Sequence, residues 1–290
     1  MSIDFTKKYE SFTRQTYSEL GKEKKTLADW GIGKYKGQLI EFYNDPVLIR
    51  DNFTNHIKNY IAGMSIDRPT VVDFGSGDGI LINTVSNQLA QEGYEANGVN
   101  LDMTEKSLRI SQEKNLEMPH VLADALDLPF KNNSVDIGLS RSVLNYLGLD
   151  GQKKYLESIY NVLKQDGLFI VTWPGGHDNQ KAENLTDFYA QITSIITDDN
   201  DVEKIKNNKR LSSIEEISKM ANEIGFAVMD SGDLGVEIKY TTKGFSQRFK
   251  MSQHQVKKIE DIFKNWPSNF LSDDKKSYPS GFNYVILKKQ

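Results

Sequence analysis

One aspartate and three glycines at alternate positions follow an apolar run in residues 71–80, which read VVDFGSGDGI. The apolar run at 70–74 predicts a short buried strand, and apolar residues recur at helical spacing from position 80 onward. The glycines therefore fall in a turn between a strand and a helix, where glycine permits positive φ and lets a ligand approach the backbone. Because the first N–H groups of a helix have no partner within it, this turn is predicted to hold a large polar ligand.

The spacing of these residues, Asp73-x-Gly75-x-Gly77-x-Gly79, discriminates between classes of cofactor. A dinucleotide-binding turn has the pattern G-x-G-x-x-G, but Ile80 stands where its third glycine belongs. A phosphate-binding loop needs Lys followed by Ser or Thr after its glycines, and no lysine follows here. The spacing therefore disfavours a nicotinamide-dependent oxidoreductase, which stays as the least favoured alternative.

Four motifs within residues 71–175 resemble, in order and separation, those of class I S-adenosylmethionine-dependent methyltransferases. They resemble in particular the group of ubiquinone- and menaquinone-biosynthesis-type and other small-molecule methyltransferases. The motifs are VVDFGSGDG at 71–79, GVNLDMTEKSL at 98–108, LADALDLPFKNNSVDIGLSRSVLNYL at 122–147 and YNVLKQDGLFIVTWP at 160–174. The resemblance implies that S-adenosylmethionine is the cofactor and that a methyl group moves by direct displacement to an O, N or C atom of a small-molecule acceptor.

The resemblance also implies which residues surround the cofactor. The first motif approaches its methionine end, and Asp73 supports the turn. After the third strand, Asp124 accepts a hydrogen bond from the adenine amino group and the Ala125 N–H serves the ring. The remaining residues implied to bind the cofactor are Gly75, Ser76, Gly77 and Gly79 of the turn, Leu101 at the end of the second strand and Ser140 at the end of the fourth.

The residue that holds the ribose hydroxyls stays open between two candidates. The family normally has Asp or Glu directly after the Gly-Val of the second strand, but this chain has Asn100 there, then Leu101 and Asp102. Positions two apart in a strand share a face, so either Asn100 or Asp102 could reach the ribose. Asp102 could instead cap the helix predicted at 104–115.

Few residues are candidates for binding the acceptor or for taking a proton from it. Ser140 and Arg141 end the fourth strand, beside the expected position of the methyl group. Arg141 could bind an acidic group of the acceptor or pair with a neighbouring acid. His177, just after the fifth strand, could take a proton near pH 7 or could be a solvated loop histidine. Since Asn100 replaces an acid, a non-catalytic S-adenosylmethionine-binding sensor or partner subunit is the main alternative to an enzyme.

The elements that must position these residues alternate between strand and helix. This pattern predicts an α/β, Rossmann-like, seven-stranded, mostly parallel sheet with helices on both faces, an antiparallel last strand and helical lid elements. The strand-like runs are 70–74, 96–101, 119–123, 135–140, 167–173, 236–242 and 282–289. Residues 1–69 are predicted to form an N-terminal helical lid, and 70–290 the cofactor-binding domain with insertions near 178–212 and 245–275.

The amino-acid composition restricts the expected cellular location of the protein and the classes of partner that it can bind. The 290 residues include no cysteine, which excludes disulfides, thiol nucleophiles and Cys-ligated zinc, and the four histidines predict no metal site. A net charge of −4 disfavours a nucleic-acid partner. No secretory signal or membrane span is predicted, so the expected location is cytoplasmic. The aromatic-rich N-terminal segment favours an aromatic or hydrophobic acceptor, and the oligomeric state stays open.

Overall fold

The computed structural model describes residues 32–36, 38–64, 66–115, 117–176, 178–249, 251–271 and 277–290. In this part of the chain, ten strands form one mixed sheet. They are β1 (Ile32–Tyr35), β2 (Gln38–Glu41), β3 (Thr70–Phe74), β4 (Asn97–Asp102), β5 (His120–Leu122), β6 (Val135–Arg141), β7 (Leu163–Gly175), β8 (Phe226–Asp233), β9 (Val236–Thr241) and β10 (Ser277–Lys289).

Seven of these strands form the Rossmann-like sheet, in the spatial order β5-β4-β3-β6-β7-β10-β8. The first five of that order pair in parallel, whereas β10 runs antiparallel to both β7 and β8. The predicted mostly parallel sheet with an antiparallel last strand is therefore confirmed. The carboxyl ends of β3, β4 and β6 meet at one edge, where open α/β sheets form their ligand sites.

Helices follow the strands as the alternation predicts, and several begin or end at the residues that the sequence signals. Asp45 caps the first helix by accepting from the Leu48 N–H at 2.7 Å, and Ser213 and Glu216 form a capping box. A π-helical turn, Arg50–Thr54, joins the first two helices. The helices are α1 (Pro46–Ile49), α2 (Asn55–Met64), α3 (Ile80–Gln91), α4 (Glu105–Lys114), α5 (Leu149–Val162), α6 (Asn179–Thr197), α7 (Val202–Asn208), α8 (Ile214–Ile224), α9 (Thr242–Phe249) and α10 (Gln253–Asn265).

Two strand predictions need correction. The sixth strand of the seven is β8, which the sequence did not predict, rather than the run at 236–242. β8 reads FAVMDSGD and lies at the sheet edge, so its exposed half carries polar residues and lacks a strand pattern. The described part of the N-terminal segment, which was predicted to be helical, contains the hairpin of β1 and β2 as well as α1 and α2.

The hairpin belongs to an extension beyond the carboxyl edge of the parallel sheet. Gly281 pairs with Gly175 at the end of β7, so residues 277–280 of β10 continue past that edge. There they pair with β9, which pairs with β1, and all of these pairings are antiparallel. The extension thus stands over the edge at which β3, β4 and β6 end.

Three hydrophobic clusters hold the described residues together. One lies on the sheet face covered by α5 and α8, and a second lies on the opposite face under α2 and α3. The third, which we call the cover cluster, lies beyond the carboxyl edge. Its buried members are Tyr35, Phe42, Leu48, Leu185, Phe188, Ile192, Leu211, Leu234, Val236, Phe245, Ile259, Phe263 and Phe282. These come from all three segments that the sequence predicted as lids.

Among the described residues, no helix has the length and apolar character that crossing a bilayer requires.

Candidate functional site

The turn between β3 and α3 has the conformation that its glycines predict. Gly75, Gly77 and Gly79 have φ values of 80°, 57° and 76°, in the left-handed region that favours glycine. The Leu101 carbonyl accepts hydrogen bonds from the Gly75 and Ser76 N–H groups at 2.8 and 2.9 Å. The backbone at the end of β4 therefore holds the start of the turn in place, and this is what Leu101 contributes to the site.

The three glycines differ in what surrounds them. A Cβ added to Gly75 would collide with the side chain of Val143, and one added to Gly79 would collide with the Ser111 hydroxyl. A Cβ added to Gly77 would meet nothing within 4 Å. Gly75 and Gly79 are thus required by the protein's own packing, whereas Gly77 faces open space into which a ligand can come.

Asp73 is a buried carboxyl directly beneath this turn. Its side chain is 2% exposed, and its Oδ2 atom has no hydrogen-bond partner. The pKa of Asp73 is raised to about 7, chiefly by burial and in smaller part by the nearby Asp102 carboxylate. The Arg141 guanidinium lowers the pKa but does not offset burial. A buried carboxyl with a free oxygen is costly to ionise, so a cationic or hydrogen-bond-donating ligand would stabilise it.

The two ribose candidates occupy different environments. Asp102 is partly exposed, and its Oδ2 accepts from the Gly77 N–H at 2.9 Å while its Oδ1 accepts from the Thr104 N–H at 2.8 Å. Asn100 is fully buried, its amide nitrogen lies 2.9 Å from the Met118 sulfur, and its Oδ1 has no hydrogen-bond partner. Asp102 therefore lies at the surface of the turn, and Asn100 lies beneath it.

The loop after β5 carries the residues that the resemblance assigns to adenine. Asp124 is exposed and accepts from the Leu126 N–H at 2.9 Å, while Ala125 packs against the core. Two apolar side chains near this loop, Met103 and Leu122, are 40% and 59% exposed. Neither side chain was predicted from the sequence as a site residue.

The end of β6 brings together residues from distant parts of the chain. The Ser140 hydroxyl is fully buried and accepts from the Tyr155 hydroxyl at 2.8 Å. The Arg141 guanidinium lies 5.3 Å from the ring centroid of Tyr43, a cation–π contact with the segment that follows β2. Ser142 follows with a φ of 61°, a conformation that is rare for serine and is concentrated at functional sites.

His177 lies outside the described residues, so its proposed role as a base stays a prediction. The residues before it are closely packed. A Cβ on Gly175 would come within 2.6 Å of the Asn283 amide nitrogen, and that amide donates to the Gly176 carbonyl at 3.0 Å. The end of β7 is thus bound to β10 just before this position.

The site as a whole suits a ligand rich in hydrogen-bond donors. The Asp73 Oδ2 and the Ser76 hydroxyl, both buried, have no protein partner, and Gly77 leaves open space in the same turn. The Asp102 carboxylate adds a second acidic group at its surface. An ammonium group and hydroxyl groups are the chemistry that such acceptors bind.

Comparison with known proteins shows what the region around this site is similar to. The family model of a methyltransferase domain matches residues 72–171. The uncharacterized protein MJ1252 of Methanocaldococcus jannaschii is 28% identical over 214 residues, which cover 69% of this chain and 77% of that protein. The human mitochondrial arginine-hydroxylase NDUFAF5 is 27% identical over 128 residues, covering 44% of this chain and 35% of that protein.

A solved structure shares the fold. Protein BH2331 of Bacillus halodurans superimposes with a TM-score of 0.61 and 16% identity, covering 81% of this chain and 99% of that one. At this identity the likeness concerns the fold alone. The matched region of the family model runs from β3 to β7 and contains the glycine turn, Asp102, Asp124 and Arg141.

Proposed function

We propose that the chain is a class I S-adenosylmethionine-dependent methyltransferase that methylates an O, N or C atom of a small-molecule acceptor, a proposal supported by the methyltransferase-domain match over residues 72–171. The observation that carries the proposal is the glycine turn. Gly77 is open, Asp73 has a free oxygen, and Asp102 lies at the surface of the turn. These three features fit a ligand with an ammonium group and a ribose diol.

Each part of the cofactor finds a candidate partner among the described residues. Asp73, with Ser76 beside it, faces the ammonium end. Asp102 accepts from the ribose hydroxyls because its carboxylate is partly exposed and already accepts from the Gly77 N–H. The adenine ring lies against Met103, with Asp124 and Ala125 serving its edge. Asn100 acts from beneath the turn, where its buried amide supports Gly79.

The chain's own contribution to the reaction is binding, alignment and exclusion of water. S-adenosylmethionine supplies an already activated methyl group, so positioning the acceptor can account for most of the rate. Arg141 and Ser142, at the end of β6, border the space next to the glycine turn. His177 stays a candidate base for acceptors that must lose a proton.

The cover cluster supports a small and partly aromatic acceptor. Segments 178–212 and 245–275 and the residues around Phe42 share one apolar cluster beyond the carboxyl edge. We assign these segments, with residues 1–69, the role of a lid that excludes water from the site. The net charge of −4 gives no support to a nucleic-acid acceptor.

Turnover tests this proposal directly. The protein is incubated with S-adenosylmethionine and a panel of hydroxyl, amine and activated-carbon acceptors, and S-adenosylhomocysteine is measured by mass spectrometry. The proposal expects S-adenosylhomocysteine to form in step with one methylated acceptor. Tight binding without turnover across the panel would favour the non-catalytic alternative. Folded protein that binds no S-adenosylhomocysteine at high micromolar concentration would contradict both.

A further inference from the structure

Thr172 on β7 carries a hydroxyl that the fold does not explain. The residue is 0% exposed, and its Oγ1 atom has no hydrogen-bond partner. Burying a hydroxyl without a partner destabilises a protein, and a valine of nearly the same shape would avoid that cost. The Thr172 backbone has a role of its own, since its carbonyl accepts from the Ser142 N–H at 2.8 Å. The side-chain hydroxyl needs a separate reason.

The neighbours of Thr172 give that reason. Thr172 pairs with Arg141 in the parallel register of β6 and β7, so the two side chains stand next to each other on one face of the sheet. Asp73, on the other side of β6, pairs with Leu139 and shares this face. Arg141 therefore stands between a buried carboxyl on one side and a buried hydroxyl on the other.

The segment after β2 closes this space from above. The Tyr43 ring lies over the Arg141 guanidinium, with 5.3 Å between the guanidinium carbon and the ring centroid. Tyr43 also contacts Phe42, which belongs to the cover cluster. Arg141 and Tyr43 are partly buried, and Thr172 is fully buried beside Arg141. A guanidinium and a neighbouring hydroxyl match a planar anion, because an arginine fork and an O–H group can both donate to carboxylate oxygens.

We propose that Arg141 and Thr172 form an oxyanion site that binds a carboxylate group next to the glycine turn. This inference rests on the proposed function, because it adds a binding group to the same cleft. The carboxylate can come from two sources, the amino-acid end of the cofactor or an acidic acceptor. In either case the Asp73 carboxylate binds a cationic group and the Arg141 guanidinium binds an anionic group.

The test uses Thr172→Val in the full chain, with S-adenosylhomocysteine, 5′-methylthioadenosine and acetate as probes. 5′-Methylthioadenosine keeps the adenosine part and lacks the amino-acid end. If the cofactor supplies the carboxylate, Thr172→Val weakens S-adenosylhomocysteine binding about five- to tenfold and leaves 5′-methylthioadenosine binding unchanged. If the acceptor supplies the carboxylate, Thr172→Val binds S-adenosylhomocysteine as wild type does. Acetate then raises the melting temperature of the wild-type complex with S-adenosylhomocysteine but not that of the variant complex. Chloride at equal ionic strength raises neither.

Thermal stability separates binding from folding. Because the Thr172 hydroxyl has no partner, Thr172→Val should melt at the same temperature as wild type or higher. The matched control is Thr54→Val, since Thr54 is equally buried but its hydroxyl donates to the Gln88 Oε1 at 2.6 Å. That variant should melt lower and keep its affinity for all three probes.

Three results bear on the two proposals separately. Unchanged binding of every probe in Thr172→Val overturns the oxyanion site, as does a lower melting temperature with unchanged binding. A wild-type protein that binds neither S-adenosylhomocysteine nor acetate overturns it as well. If wild type binds acetate through Thr172 but no S-adenosylhomocysteine, the oxyanion site stands and the proposed cofactor role fails.

Discussion

Asp73 shows how one residue links the stability of the protein to its ligand. Its carboxyl is buried beneath the glycine turn with one free oxygen, and burial raises its pKa to about 7. Ionising it in the unliganded protein is therefore unfavourable at acidic and neutral pH. A ligand ammonium placed at Oδ2 would favour the ionised form, so ligand binding and loss of the Asp73 proton are coupled.

The pH dependence of binding follows from the direction of this shift. Because the pKa of Asp73 is raised, the ionised form that attracts an ammonium is scarce below pH 7 and predominates above it. S-adenosylhomocysteine should therefore bind about tenfold more weakly at pH 6 than at pH 8. Calorimetry at both pH values measures this. Asp73→Asn, which has no charge to gain, should bind weakly at both, and a wild-type affinity that does not change with pH would contradict the assignment.

At the scale of elements, Asp102 joins three parts of the site. It ends β4, its Oδ1 accepts from the Thr104 N–H at the start of α4, and its Oδ2 accepts from the Gly77 N–H in the turn. The N-cap of α4 is Thr104, so Asp102 holds the residue in front of the helix and does not cap the helix itself. Removing the Asp102 carboxylate should affect both the local fold and the ligand.

Paired substitutions separate these roles. Asp102→Ala should weaken S-adenosylhomocysteine binding by one to three orders of magnitude, since a carboxylate that accepts from two hydroxyls contributes roughly 2–4 kcal/mol. It should also lower stability by about 1 kcal/mol for each lost bond, because the Gly77 and Thr104 N–H groups lose their acceptor. The Thr104 hydroxyl donates a second hydrogen bond to the Asp102 Oδ1. Thr104→Val removes that bond but keeps the carboxylate, so it should lower stability without a loss of affinity. Affinity and melting temperature are measured for both.

Asn100→Ala completes this comparison. Its side chain is fully buried beneath Gly79, so its loss should destabilise the fold and weaken binding less than Asp102→Ala does. The opposite ranking, with Asn100→Ala costing the most affinity in a folded protein, would assign the ribose to the amide.

Several elements were predictable from the sequence because their signals are local. The strand β7 contains a nearly continuous apolar run at 168–173, as buried parallel strands do, and the glycine turn follows the mainly apolar β3 directly. β8 was missed because an exposed edge strand has no such pattern. The pairing of β10 with both β8 and β9 joins residues that are distant in sequence, and no local signal encodes it.

The site was predictable in part for the same reason. Sequence spacing identified the three glycines, but their different surroundings depend on Val143 and Ser111, which are remote in the chain. It identified Ser140 as a ligand residue, whereas the fold buries that hydroxyl against Tyr155. Nothing in the sequence singles out Thr172, because threonine is common in strands. Only the structure shows that its hydroxyl has no hydrogen-bond partner.

At the scale of the whole molecule, the chain consists of a Rossmann-like sheet and a second apolar cluster beyond its carboxyl edge. The two clusters on the sheet faces hold the strands in register, and the cover cluster unites the segments around Phe42, α6, α9 and α10. Tyr43 connects this cover to Arg141. The glycine turn therefore lies at the boundary between the parallel sheet and a cover to which three distant segments contribute.

The central claim is that the open side of Gly77 faces S-adenosylmethionine, and a matched pair of glycine substitutions tests it. Gly77 and Gly93 both have positive φ, 57° and 85°, and a Cβ at either meets nothing within 4 Å. Alanine at each position should therefore cost a similar 1–2 kcal/mol or so of backbone strain. Gly93 lies just past the end of α3, away from the turn.

The measurement is the affinity for S-adenosylhomocysteine by calorimetry in wild type, Gly77→Ala and Gly93→Ala, with melting temperatures recorded alongside. We expect both variants to melt a few degrees lower than wild type, which is the shift that such a loss of stability produces. Only Gly77→Ala should lose binding, because its methyl group occupies the space of the ligand. Equal affinities in the two folded variants would contradict the claim that this turn holds the cofactor.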